Sequence, residues 1–131
     1  MSEPVSKAIL LCNYATIDKV NRWSLIDTFN TVYMKSTPWM TNPFFVFVSV
    51  VDAPTVPVLT FQVEDASGFV VQTSGPIPFD SAGLRNLQFL HQVKPFVIVS
   101  PGKYRVVLYI NKDRVAETEL AAEMAPEGVP L

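Results

Sequence analysis

The chain has 131 residues, a length that fits one domain. It is 49% hydrophobic and only 17% charged, and its net charge is −2. Its ten Lys and Arg residues are scattered from Lys7 to Arg114 with no two adjacent, which argues against a nucleic-acid partner, since a phosphate backbone needs clustered cations. The low charge fraction leaves little polar surface to cover the exterior. That points either to a thick core or to a face covered by another chain.

The first apolar run, Ala8 to Tyr14, reads as a strand that is central or buried on both faces. Before it, Met1-Ser2-Glu3-Pro4 carries an acid, and the run itself is too short for a secretory leader or a membrane span. The sequence therefore predicts a cytoplasmic protein with no membrane partner. Cys12, the one cysteine, cannot form an intrachain disulfide and reads as a small buried hydrophobe.

Thr16 to Arg22 is polar and reads as a loop, with Asn21 within it. Trp23 to Met34 is a second strand region whose apolar positions break phase, which predicts a bulge near Thr28. Ser36 to Pro43 reads as a loop around Trp39 and Met40. Phe44 to Val51 is the strongest strand signal. From Pro57 to Asp65 the alternation is clean, and Asp65-Ala66-Ser67-Gly68 then predicts a tight turn into Phe69 to Thr73.

Gly75 to Pro78 is expected to break the sheet, since proline cannot donate to a ladder, and Asp80 to Leu84 reads as a loop. Arg85 to Val93 alternates again, and Phe96 to Val99 is short and apolar. Ser100 to Lys103 turns into a strand from Tyr104 to Ile110, and Asn111 to Arg114 reads as a hairpin loop before a last strand, Val115 to Leu120. From Ala121 onward the prolines and glycine predict a tail, with a helical turn over 118–124 as the alternative.

This pattern predicts one all-β domain over 1–131, with strands roughly from 7 to 120. The expected architecture is an antiparallel β-sandwich, immunoglobulin-like or Greek-key, of about eight or nine strands; a β-barrel is the alternative.

Chemistry-bearing motifs are sparse. The single histidine, His91, falls mid-strand beside Leu90 and Gln92 and reads as a partly buried strand residue bonded to backbone, rather than a base or ligand. One Cys and one His cannot make a structural zinc set. Asp52, Asp65, Asp80 and Asp113 stand singly at strand ends and read as turn formers rather than a calcium cage. No glycine-rich phosphate loop occurs. No catalytic residue, metal or cofactor is expected.

Ala8-Ile9-Leu10-Leu11-Cys12-Asn13-Tyr14-Ala15, Trp23-Ser24-Leu25-Ile26 with Phe29, the Phe-rich strand, and Pro101-Gly102-Lys103-Tyr104 together give the chain a resemblance to an uncharacterised family of small prokaryotic proteins. The resemblance runs from about Lys7 to Leu120. Members usually carry Asp where this chain has Asn13, and Gly where it has Asp27. It implies a cytoplasmic, single-domain β protein and no particular activity.

The functional expectation is a non-enzymatic interaction or assembly module, with a homo-oligomer or another protein as partner. The candidate contacts are Trp39, Met40, Tyr33 and Asn30. The alternative is a small-ligand or carbohydrate binder in which a sugar stacks on Trp39 or Tyr33 and bonds Asn30. An enzyme centred on His91 ranks third.

Overall fold

Inward-facing apolar rows on two packed β-sheets make the core. The computed structural model describes residues 4–20, 22–54, 57–79 and 86–126. Among them there are twelve strands and no helix: β1 (Val5–Ile17), β2 (Trp23–Phe29), β3 (Thr31–Met34), β4 (Trp39–Met40), β5 (Phe44–Val51), β6 (Val58–Glu64), β7 (Val70–Thr73), β8 (Ile77–Pro78), β9 (Leu87–Val93), β10 (Val97–Ile98), β11 (Gly102–Ile110) and β12 (Asp113–Met124). The loop expected over Asp80 to Leu84, the start of the next strand at Arg85 and the end of the expected tail lie outside the described residues, as does Asn21.

One sheet runs β2-β1-β5-β9, and the other runs β3-β12-β11-β6-β7 with β8 also paired to β6. A small third pairing joins β4 to β10. The expected all-β sandwich is what the chain forms, with one addition. The β3–β12 pair is parallel, from Ala121↔Thr31 to Met124↔Met34, whereas the other pairs among the described residues are antiparallel.

The alternation read from the sequence explains the core. Val46, Val48 and Val50 of β5 leave on one face and are almost wholly buried. Val106, Leu108 and Ile110 of β11, with Leu59, Phe61 and Val63 of β6, supply the opposing layer. These alternate positions fill the space between the sheets. The outward face of the larger sheet holds Glu64, a nearly buried carboxylate. It accepts from the Tyr109 hydroxyl at 3.2 Å and from Arg114 at 3.3 Å, so the charge is answered where it is desolvated.

Four expectations need correction. The phase break in the second strand region is not a bulge at Thr28. The chain leaves one sheet after Phe29 and enters the other at Thr31, with Asn30 as the corner. The Asn30 carbonyl accepts from Ala121 N at 2.8 Å, which ties that corner to β12.

The second correction concerns residues 121–124. They are neither tail nor helix. Backbone pairing with β3 outweighs the helix propensity of Ala and Glu there, because the two strands satisfy each other's amides while Leu120 and Ala122 enter the core. The third is that β4 is strand rather than loop. The fourth is that Ile77–Pro78 does not break the sheet: it pairs with β6 as the short strand β8, where proline's missing donor is tolerated at an edge.

The turn chemistry matches its residues. Asn111 and Lys112 both have positive φ, 51° and 71°, as a two-residue hairpin of the primed type requires. Asp27 sits at φ 56°, a left-handed position that suits glycine and, among side-chain-bearing residues, Asn or Asp.

Two substitutions check this packing. Leu108→Ala should lower stability by about 2–5 kcal/mol in urea unfolding, since Leu108 is fully buried. Asp27→Val should cost about 1–2 kcal/mol because a side chain is strained in left-handed backbone, whereas Asp27→Gly should fold as well as the parent.

Candidate functional site

β4 is two residues long, and it divides the candidate residues between two sides of the molecule. Its pairing with β10, Met40 against Val97 and Trp39 against Ile98, fixes both side chains. Successive strand residues leave on opposite faces. Trp39 therefore lines an open cleft of about 470 Å³, and Met40 lines a separate groove of about 510 Å³. The sequence suggested one shared contact loop; the period of two pulls its members apart.

The cleft joins Trp39 to Tyr33 of β3, which is exposed. Asn13 of β1, Thr31 of β3, Lys35 and Asn42 bring short polar or basic groups to the same space. Phe29 and Phe44, with ring centroids 5.5 Å apart and nearly perpendicular, back it from the core. Thr41 anchors the wall. Its hydroxyl accepts from Phe96 N at 3.1 Å, and its own amide donates to the Phe96 carbonyl at 3.0 Å. Asn30 does not reach this cleft. It borders a shallower groove with Leu10, Thr28 and Thr118, and its side-chain oxygen accepts from the Thr31 hydroxyl at 3.1 Å.

The groove on the far side is apolar. Met40 is 58% exposed there, Phe69 69% and Val99 71%, and the partly exposed Val70 and Val97 complete the patch. Phe69 is held outward by the turn before it. The Asp65 carboxylate accepts from the Ser67 hydroxyl at 2.7 Å and from the Ser67 and Phe69 amides at 2.9 Å each. Those bonds, led by the Ser67 hydroxyl and the Phe69 amide, hold the Asp65 carboxyl below its ordinary range. Gly68, at φ 90°, closes the turn.

His91 lies elsewhere. Its ring stacks on Phe61 at 4.7 Å and 8°, beside a small cavity of about 100 Å³. Burial pushes its pKa down, which favours the neutral imidazole. The nearby Ser74 hydroxyl already donates to the Gly75 carbonyl at 2.6 Å and accepts from Phe61 N at 3.0 Å. No carboxylate lines this cavity among the described residues. Cys12 is buried, and its thiol pKa is raised by that burial, which the Tyr14 backbone bond only partly offsets. No three His, Cys, Asp or Glu side chains converge among the described residues.

Sequence reasoning missed Asn13, Lys35 and Asn42 in the cleft, and Phe69, Val97 and Val99 in the groove. Two signals were present. Asn13 is a polar break inside an apolar strand, and Phe69 is a large apolar residue at the exit of a polar turn.

The lowered His91 pKa fixes a sign. The unfolded imidazole takes up its proton near its ordinary value of about 6.5, and the folded one resists. Stability is therefore full above that value and falls as the pH drops towards the folded-state pKa. Urea midpoints measured between about pH 7 and pH 5 should fall more steeply for the parent than for His91→Phe.

No helix among the described residues is long and apolar enough to cross a membrane. No curated protein matches the sequence. Among solved structures, the Pseudomonas fluorescens alkylpurine DNA glycosylase AlkC, bound to DNA containing an abasic-site analogue, is similar with a TM-score of 0.44 at 10% identity. The match covers 71% of this chain and 27% of that one, and so loose a likeness says nothing of activity. Residues 7–123 match the family described as "Family of unknown function (DUF6941)", and the chain belongs to that family.

Proposed function

We propose that this domain is a non-enzymatic assembly module that pairs with a second copy of itself through the groove beside Met40. One observation carries the reading: the exposed side chains of Met40, Phe69, Val70, Val97 and Val99 converge on a single groove. Scattered exposed apolar residues are ordinary, but a contiguous patch of them is not. Met and Phe are among the residues enriched at contact surfaces.

Among the described residues the groove holds one carboxylate, Asp65, and that group is already engaged by its own turn. A charged partner would find little to pair with. A second groove of the same composition is complementary in kind, and a two-fold contact presents it automatically. The low charge fraction of the whole chain supports the same reading. A reducing cytoplasmic setting suits the lone buried thiol.

Sedimentation at micromolar concentration tests this. The parent chain should run as a dimer. Phe69→Asp with Val99→Asp should run as a monomer that still unfolds in one cooperative step, because both side chains are exposed, and its unfolding midpoint, unlike the parent's, should not rise with protein concentration. A parent chain that is strictly monomeric would overturn the reading, and so would a doubly substituted chain that still dimerises.

A further inference from the structure

We propose that the cleft on the other side of β4 is a saccharide-binding site, with Trp39 and Tyr33 as its stacking rings. The site is independent of the assembly groove, because Trp39 and Met40 leave β4 on opposite faces.

The composition of the cleft carries the assignment. Two aromatic residues with polar tips line a space of about 470 Å³, within the range of roughly 300–1,000 Å³ ordinary for small-ligand sites. The face of a pyranose ring presents C–H groups, and these sit favourably on the electron-rich face of an indole or phenol ring. The edge of the same sugar presents hydroxyls, each both donor and acceptor. Asn13 and Asn42 carry one acceptor and two donors apiece, and the Thr31 hydroxyl, which donates its proton to Asn30, adds an acceptor. Short side chains of this kind match a polyol better than a flat hydrocarbon, which would strand their polar atoms.

Charge narrows the ligand. Lys35 is the one charged residue lining the cleft among the described residues. An acidic sugar therefore gains a favourable contact that its neutral parent lacks. Glycoside cleavage ordinarily needs a pair of carboxyl groups astride the bond. No Asp or Glu lines this cleft among the described residues, so the site holds its sugar without cutting it. β4 and its partner β10 give the ring of Trp39 a strand-borne seat, and Thr41 pins the next residues to Phe96, so the platform is formed before a ligand arrives.

Trp23→Phe leaves Trp39 as the single indole, so emission in that background reports the cleft. Glucose, N-acetylglucosamine and glucuronate are titrated through the millimolar range, with saturation-transfer NMR on the sugar as a second readout. The expected result is a saturable change, with glucuronate binding more tightly than glucose. Tyr33→Ala and Asn42→Ala, both at exposed positions, should each weaken binding by about tenfold while leaving the unfolding midpoint in place. Lys35→Met should remove the preference for glucuronate. Absence of saturable binding by both readouts for every sugar overturns the proposal. Binding that survives the combined Tyr33→Ala and Asn42→Ala substitutions overturns it too, since the sugar then lies elsewhere. The assembly state is read separately, so either proposal can fail alone.

Discussion

The inward valines of β5 against Val106, Leu108 and Ile110 of β11 are the contact on which the rest of the molecule rests. Both strands are interior members of their sheets, so each is paired on two sides while its apolar row faces the other. Burial of such rows is the dominant favourable term in folding, and it falls here on residues that side-chain alternation alone aims inward. The turns and the surface features are arranged around that layer.

β4 shows how little structure is needed to set a surface. Two residues paired to β10 send a tryptophan one way and a methionine the other. A helix or an irregular loop would not oppose them so strictly. The result is one polar, ring-lined cleft and one apolar groove with a thin strand between them. The buried Thr41 fastens that strand to Phe96 and so fixes both walls together.

The fold was largely legible because its signals are local. The alternation of Leu59, Phe61 and Val63, the Asp65 to Gly68 turn and the Phe44 to Val51 run all carry their conformation in neighbouring residues. What was hidden depends on partners far along the chain. The parallel pairing of residues 121–124 with β3 cannot be read from Ala and Glu, whose propensities favour helix. Nor does the corner at Asn30 carry a local mark that sets it apart from a bulge. The cleft was half legible: Trp39 and Tyr33 stood out as aromatics. Asn13 and Asn42 reach them only because β1, β3 and the segment after β4 converge in space, and no spacing in the sequence encodes that.

That parallel pair also sets the order of events in biosynthesis. β2 can dock on β1 as soon as both have emerged from the ribosome, since they are sequential neighbours. β3 cannot. Its amides and carbonyls wait for β12, after every other described strand has been made. Pairings of such long sequence separation form slowly, and an unpaired strand edge is an open invitation to neighbouring nascent chains. Lys35 just beyond β3 is the kind of charge that discourages such encounters in the interval.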